Sequence, residues 1–248
     1  MNASFGQPFV RAASALRSCR DNMADAARWM HPSWPMALMN LDAAQCAQWS
    51  RAVDDASPAA RERASFALCA SAGADALSIE QLSQPMLLAR ADGTVPNPVL
   101  LDVCPAALGL QILRMRALSF RRAEARRLID KRTRALLSGW AGVPVDQLCL
   151  DAHLAEAPNV AMLHSQIRMP VLASLDADAL AVEGLLLIAR DSGSRHITPC
   201  PLLRCALPRD LPMPAWLAKL SVEIDSMGTV RLFARLPALL PEWAWLFG

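Results

Sequence analysis

Apolar residues recur at helical spacing through most of the chain. From Phe9 to Met30 they stand three or four residues apart, so they share one face of an α-helix. Asp42, Ser57 and Ser78 precede further segments and are residue types that cap helix N-termini. Helical spacing returns over 101–117, 119–138 and 158–190. We therefore predict a mainly α protein, an irregular multi-helix bundle.

One short stretch interrupts the helical pattern and marks a candidate boundary. Residues 91–98 contain Asp92-Gly93 and two prolines, a composition typical of turns and linkers. A chain of 248 residues has the length of one large domain or two small ones. We predict that residues 1–248 form a single domain, with an internal boundary at 91–98 between an N-terminal helical part and the rest.

The C-terminal part carries a different periodicity. Five prolines between residues 192 and 214 exclude long helices there. Beyond them, apolar residues occupy every second position over 220–225 and again from Val230 to Ala234, with Ser226-Met227-Gly228 between the two runs. Two runs of period two around a glycine-containing turn predict a small β-hairpin near the C-terminus, packed on the helices.

Composition narrows the classes of function. Hydrophobic residues make up 54% of the chain, yet no apolar run reaches the ~20 residues that cross a bilayer, and Glu183 interrupts the best run. The net charge of +2 is too small to indicate a polyanionic partner. The seven cysteines lie singly, which favours reduced, buried thiols and a cytoplasmic location.

The sequence contains no pattern typical of catalysis or cofactor binding. The Ser-Gly-Ser stretch at 192–194 lacks the Gly-x-Ser-x-Gly form of a nucleophile elbow. Gly139 and Gly142 are not followed by the Gly-Lys-Ser/Thr of a phosphate-binding loop. We expect no enzyme activity, no catalytic residue, no cofactor and no small-molecule substrate.

Histidine and cysteine also come close together in one segment. His196, Cys200 and Cys205 lie within ten residues, and His153 and His164 are conceivable partners. Zinc sites, however, usually pair their ligands across gaps of two to four residues on a turn, whereas prolines flank Cys200 on both sides. We expect buried cysteines and surface histidines, and no metal.

Basic residues crowd a predicted helix pair over 105–138. This segment is open to three interpretations: a solvated helix face with local ion pairs, a face that binds an acidic protein, or a nucleic-acid-binding surface. Aromatic residues are few in the segment, so nucleic-acid binding by a regulator is the alternative rather than the main prediction. Because guanidinium groups match carboxylates in paired hydrogen bonds, we predict partner binding for these residues: Arg116, Arg121, Arg122, Arg126, Arg127 and Lys131.

The last residues of the sequence form an aromatic cluster. Trp243, Trp245 and Phe247 lie within five residues of one another. Such a cluster either packs into the core or forms an exposed docking peptide, since exposed aromatic groups often mark partner sites. We include Trp243 and Trp245 among the candidate partner-binding residues.

Two short motifs resemble a known family. Met30-His31-Pro32-Ser33-Trp34 resembles the element of histidine, proline, serine and an aromatic residue near the start of type III secretion K subunits. Ala107-Leu108-Gly109-Leu110, followed by Arg126-Arg127-Leu128-Ile129, resembles the leucine-glycine-leucine and basic-helix pattern of the same proteins and of their plant-pathogen Hrp counterparts. The chain thus resembles the SctK-type K subunit of the sorting platform, over about a third of its length.

The resemblance implies an adaptor without catalysis. K subunits of this kind link the cytoplasmic domain of the inner-membrane ring protein to the pod protein beneath it. The resemblance therefore implies two protein partners, a virulence-associated role in protein transport, and a cytoplasmic location at the inner face of the inner membrane, held there by those partners and not by membrane insertion.

Overall fold

The computed structural model describes residues 7–91, 93–154, 158–193, 199–211 and 214–248. The chain is mainly α-helical, which confirms the predicted fold class, and its described β-structure is one two-stranded hairpin. The α-helices are α1 (Gln7–Ala24), α2 (Ala26–Trp29), α3 (Ser33–Met39), α4 (Ala43–Asp55), α5 (Pro58–Ser71), α6 (Ile79–Ser83), α7 (Ala106–Phe120), α8 (Arg122–Ala125), α9 (Lys131–Ala141), α10 (Val145–Leu150), α11 (Val160–Ile167), α12 (Ala177–Asp191), α13 (Pro201–Arg204), α14 (Gly228–Leu239) and α15 (Ala244–Phe247). The strands are β1 (Leu87–Arg90) and β2 (Gly93–Pro96), and short 3₁₀ helices occupy Pro98–Val103, Leu172–Ser174, Leu217–Lys219 and Pro241–Trp243.

Local sequence signals set several helix boundaries. Asp42 and Ser78 each accept a backbone N–H three residues on, and a glutamine at that position bonds back, which completes a capping box. Ser57 caps α5, whose first residue is proline. Gly142 ends α9 with a φ of 71°, a left-handed conformation that glycine adopts without strain. The predicted starts of α4, α5 and α6 are therefore confirmed.

The chain divides into two compact units. The first comprises Met1–Gln84, Val99–Gly109 and Cys200–Leu211; the second comprises Pro85–Pro98, Leu110–Pro199 and Pro212–Gly248. The divisions at 84/85 and 98/99 lie on either side of the hairpin, and Asp92 of the predicted boundary lies outside the described residues. That the two units fold together as a single domain stays a prediction from the sequence.

Small side chains form much of the core of the first unit. α1 packs against α5 and α6, while α2 packs against α4 and α5. Ala15, Ala26 and Cys69 are fully buried, and Cys19 is nearly so. Alanine and cysteine allow helix backbones to approach closely, although each contributes little apolar area.

Larger residues form the core of the second unit. One cluster groups the buried side chains of Phe120, Val160, Leu163, Met169, Leu187, Trp216 and Leu220. α7 and α12 approach closely at Gly184, where a β-carbon would stand 1.8 Å from the backbone oxygen of Leu113. The β1–β2 hairpin packs against α14 and α12, with Leu88 opposite Val95 in its antiparallel register. Within the described part of the chain, no helix is both long and apolar enough to span a membrane.

The position predicted for the hairpin is wrong. The hairpin is formed by residues 87–96, while the alternating run from Val230 onward lies in α14. Val230, Phe233 and Leu236 are buried at a spacing of three, and Leu232 is buried beside Phe233. Consecutive side chains of a strand point to opposite faces, so a strand with one solvated face would expose either Leu232 or Phe233. Both are buried, and the burial pattern is that of a helix. Residues 91–98, whose composition is typical of turns and linkers, contain β2, in which Gly93 pairs with Arg90 of β1.

The predicted helix over 119–138 is also corrected. It is broken into α8 and α9, separated by residues 126–130. Asp130 begins the second piece, because its carboxylate accepts the backbone N–H groups of Arg132 and Thr133. An N-cap residue has non-helical backbone geometry, so a strong cap inside a helical pattern starts a new helix.

Candidate interaction surface

Arg116 is a fully buried cation in the second unit. Its Nη2 lies 2.9 Å from Asp191 Oδ2, and its Nε donates to the Thr229 hydroxyl at 2.8 Å. Its Nη1 makes an ion contact of 2.8 Å with Asp225 Oδ2. Burial raises the pKa of Asp225, and the Arg116 guanidinium opposes that shift. The network joins α7, the end of α12 and the start of α14.

The backbone around this network is shaped to fit it. Asp225 has a φ of 57°, in the left-handed region that few residues other than glycine adopt. A β-carbon at Gly228 would lie 2.3 Å from Asp225 Oδ2 and 2.5 Å from Arg116 Nη2. Glycine at this position leaves room for the Asp225 carboxylate and the Arg116 guanidinium to meet. Asp191 also accepts two hydrogen bonds from Arg190, at 2.9 and 2.7 Å.

Arg121 forms a second buried ion pair. Its Nε and Nη2 donate to the two carboxylate oxygens of Glu183 at 2.6 and 2.9 Å. Its Nη1 donates to Glu124 Oε2 at 3.1 Å and to the Pro170 carbonyl at 2.8 Å, and the guanidinium lies over the ring of Trp216. Burial raises the pKa of Glu183, against the lowering effect of Arg121. All three nitrogen atoms of the guanidinium thus have partners, as a buried charge requires.

Arg122 and Arg126 hold α8 against the segment that follows α10. Arg122, which is buried, donates through Nη1 to the carbonyls of Asp151 and Leu154 at 3.2 and 2.8 Å. Arg126 is exposed, yet its Nε donates to the carbonyl of Cys149 at 2.8 Å. Both side chains therefore stabilise the local fold, because they satisfy carbonyl groups at the end of a helix.

Exposed cations follow α8 in the sequence. Arg127, Lys131 and Arg132 are exposed, and none belongs to an ion pair within the described residues. Ile129 is 93% exposed and Leu136 is 51% exposed, which is unusual for large apolar side chains. We call these five residues the 127–136 surface. The nearby carboxylate of Asp130 is engaged in capping α9, and those hydrogen bonds, chiefly from Thr133, lower its pKa.

The two C-terminal tryptophans form a pair at the surface of the second unit. Their ring centroids lie 6.0 Å apart with planes tilted by 34°. Trp245 is 40% exposed and Trp243 is half-buried, whereas Leu246 and Phe247 are buried. The end of the chain thus combines both predicted alternatives: its aliphatic and phenylalanine side chains enter the core, and its tryptophans remain accessible.

A shallow pocket of about 360 Å³ adjoins the 127–136 surface in the second unit. Its titratable lining groups are Glu124, Arg127 and His164. Glu124 is already bonded to Arg121 and to the backbone N–H of Leu172, and His164 Nδ1 lies 2.6 Å from the Met169 carbonyl. The described lining holds no serine, threonine, cysteine or lysine that could act as a nucleophile.

The first unit contains one deeply buried carboxylate. Asp102 accepts the backbone N–H groups of Leu203 and Leu202 at 2.7 and 3.2 Å. Among the residues the structure describes, it takes part in no ion pair. Burial raises its pKa to about 7, although the two N–H donors act in the opposite direction.

The histidine-containing motif of the first unit has a structural role. His31 Nδ1 lies 2.9 Å from the Ser33 hydroxyl, which also accepts the backbone N–H of Arg209 at 2.8 Å. Trp34 Nε1 donates to the Leu207 carbonyl at 3.0 Å, and the guanidinium of Arg204 lies over its ring. The motif thereby fixes the segment around α13.

All seven cysteines are buried, as expected, and none is in a disulfide in the structure; their reduced state stays a prediction. Burial raises the pKa of Cys19 and of Cys69 to about 11, so these thiols are poor nucleophiles. His196 of the metal hypothesis lies outside the described residues. In the ranges the structure does describe, no group of three or more histidine, cysteine or acidic residues could hold a metal ion.

The predicted arginine face requires a correction. Arg116 and Arg121 have no exposed side-chain surface and Arg122 is buried, so these three do not lie on a solvated face. Arg126, Arg127 and Lys131 remain exposed, and partner binding there stays a prediction, as it does for Trp243 and Trp245. The sequence reasoning missed the buried carboxylates; Glu183 within an apolar helix was the one visible signal, since a buried acid needs a partner.

The comparisons with known proteins give one family. A sequence model of the family described as "Bacterial type III secretion protein (HrpB4)" matches residues 7–242. Neither the curated proteins nor the solved structures contain a match to the chain.

Proposed function

The chain belongs to the HrpB4 family of bacterial type III secretion proteins, and from that premise we propose that it is a non-enzymatic cytoplasmic adaptor of the secretion apparatus. It bridges the cytoplasmic domain of the inner-membrane ring protein and the pod protein of the sorting platform. The observation that carries this proposal is the family match over almost the whole described chain.

The buried ion pairs of the second unit favour an adaptor over an enzyme. Two of this unit's buried arginines form ion pairs within the protein, Arg116 with Asp191 and Asp225, and Arg121 with Glu183. Catalytic groups, in contrast, converge on a cavity that a substrate can enter. Such pairs fix helices of the second unit to one another, which suits a protein that holds partners at fixed positions.

The exposed groups supply two separate candidate contacts. The first is the cationic 127–136 surface together with Arg126, and the second is the tryptophan pair at the C-terminus. Tryptophan and arginine are over-represented among the residues that contribute most to protein–protein binding. We assign one partner to each contact.

The burial of arginines in the segment 105–138 argues against nucleic-acid binding by this helix pair. Phosphate contacts need accessible cations, and three of the predicted arginines are buried. We therefore keep it only as an outcome of the test below.

A pull-down of the full-length chain from its native bacterial lysate, at moderate salt and followed by mass spectrometry, tests the proposal. We expect the ring protein and the pod protein to be recovered together. Trp243→Ala/Trp245→Ala should lose one of them and keep the other, provided that its melting curve matches the wild type. Recovery of nucleic acid in a steeply salt-dependent manner, or of neither protein, would reject the adaptor proposal.

A further inference from the structure

The 127–136 surface combines unpaired cations with unpaired apolar groups. Arg127, Lys131 and Arg132 project from a turn and the first turn of α9, and Ile129 and Leu136 are exposed among them. Lys131 and Arg132 occupy the N-terminal end of a helix, where the macrodipole disfavours positive charge. The cations therefore do not improve the stability of α9, and they are available to a ligand.

Hydrogen bonds and buried side chains hold the backbone of this surface in place. The guanidinium of Arg126 is bonded to the Cys149 carbonyl, and Arg134 Nη1 donates to the Leu128 carbonyl at 3.0 Å. Leu137 and Ala141 bury the opposite face of α9. Because the backbone is anchored on both sides of Ile129, its exposure is not caused by a loose loop, and the surface is preorganised for binding.

We infer that the 127–136 surface binds an acidic amphipathic segment of a partner protein, whose carboxylates contact Arg127, Lys131 and Arg132 while its apolar residues cover Ile129 and Leu136. The inference rests on the proposed adaptor function and specifies the partner chemistry of its cationic contact. Charge complementarity favours such an occupant, since guanidinium groups pair with carboxylates in two hydrogen bonds.

An anionic membrane is the competing occupant, and the surface fits it less well. Interfacial helices insert a broad apolar face into the lipid. Here the apolar face of α9 that carries Leu137 is already buried in the protein, and only Ile129 and Leu136 are left as large exposed apolar side chains on this surface. Two side chains provide little area for insertion.

The first arm of the test measures loss of binding in the pull-down described above. We expect Arg127→Glu/Lys131→Glu/Arg132→Glu to reduce recovery of one apparatus protein at least tenfold while the other is retained. None of these side chains is bonded within the described residues, and glutamate suits the first turn of α9, so the melting temperature should not fall. The matched control reverses three exposed cations elsewhere and should keep both proteins: Arg17→Glu/Arg63→Glu/Arg231→Glu.

The second arm identifies what lies on the surface. p-Benzoylphenylalanine replaces Leu136 in the full-length chain, in its bacterial host, and after irradiation the cross-linked peptide is mapped by mass spectrometry. The control places the same group at Val222, which is 65% exposed in the same unit. We expect position 136 alone to cross-link to a protein segment in which Asp or Glu flank apolar residues at helical spacing.

The outcomes separate this inference from the proposed function. If the wild type recovers both apparatus proteins but the triple variant does so equally, or if position 136 cross-links to lipid, to nucleic acid or to a segment without carboxylates, the inference is overturned and the adaptor stands. If the wild type recovers neither protein, the adaptor proposal fails and the inference fails with it.

Discussion

Among the residues that the structure describes, the first unit buries Asp102 without a cation beside it, whereas the second unit buries Arg116 and Arg121 together with carboxylates. Asp102 is stabilised by two backbone N–H donors, and its pKa lies at about 7. Arg116 and Arg121 form ion pairs at 2.6 to 2.9 Å with Asp191, Asp225 and Glu183. The buried carboxylate of the first unit is thus stabilised by a bound proton and by backbone N–H groups, and the buried arginines of the second unit are stabilised by carboxylates.

This difference has a physical consequence for stability. A buried carboxylate without a counter-ion can lose its charge by binding a proton, so its energetic cost depends on pH. An arginine stays protonated at any ordinary pH, so its pair is broken when the carboxylate binds a proton or when one partner is removed. We expect the first unit to respond to pH near neutrality and the second to respond to mutation.

The largest effect should follow from breaking one buried pair. Arg121→Met leaves Glu183 buried without its partner and should lower the free energy of unfolding by about 3–5 kcal/mol. Arg121→Met/Glu183→Leu removes both charges and should recover most of that loss. Urea denaturation measures both variants. As a control, Arg28→Met removes an exposed pair in the first unit and should cost less than about 1 kcal/mol; an equal loss there would contradict the distinction between buried and exposed pairs.

The next effect is a pH dependence in the first unit. The folded pKa of Asp102, about 7, lies above its usual value of 3.8, so the folded state holds the proton more tightly. Its contribution to stability is therefore fully present below about pH 4 and is lost as the pH rises through 7, by up to about 4 kcal/mol at 1.36 kcal/mol for each pH unit.

The Asp102→Asn variant isolates this contribution, since asparagine does not titrate. The free energy of unfolding of the wild type minus that of the variant, measured by urea denaturation between pH 4.5 and about 8, should fall as the pH rises. A difference that stays constant across this range would show that Asp102 is ionised or solvated in the folded protein.

A smaller effect is expected when a glycine at a close contact is replaced by alanine, and the two units can be compared at one such glycine each. A β-carbon at Gly184 would meet the backbone oxygen of Leu113, whereas one at Gly109 would meet the end of the Leu203 side chain at 2.5 Å. The backbone cannot yield as a side chain can, so Gly184→Ala should destabilise by about 1–3 kcal/mol or more and Gly109→Ala by clearly less. Thermal melts of the two variants decide this, and a larger loss at Gly109 would reverse the ranking.

The smallest effects should be equal in the two units. Ser57 caps α5 in the first unit and Asp176 caps α12 in the second, each through a backbone N–H three residues on. Because this bond is local, replacement of either cap by alanine should cost about 1 kcal/mol. Chemical denaturation at pH 7 provides the measurement. A loss several times larger at one site would mean that the cap also supports tertiary contacts.

Local signals predicted much of the fold. Asp42, Ser57 and Ser78 each marked the start of a helix, because a capping bond involves residues only a few positions apart. The alternation after Val230 misled, because a run of five residues fits both a strand and one side of a helix. Only the packing of Val230, Phe233 and Leu236 into the core distinguishes the two.

The candidate site was predictable in part. Arg126, Arg127 and Lys131 are exposed cations, as expected, but Arg116 and Arg121 are buried although the same segment carries them. Their partners stand 62 to 113 residues away, at Glu183, Asp191 and Thr229. No local pattern links residues so distant, and two neighbouring arginines look alike in the sequence whether they bind carboxylates or water.

Periodicity, capping residues and short motifs within a few turns of chain were enough to predict the helical class, the starts of α4, α5 and α6, and the family resemblance. Which arginines are buried, where the hairpin forms and that Asp102 has no counter-ion among the described residues became visible only in the tertiary structure. Burial and charge pairing depend on which distant segments meet, and the desolvation of a charge becomes costly only after they have met.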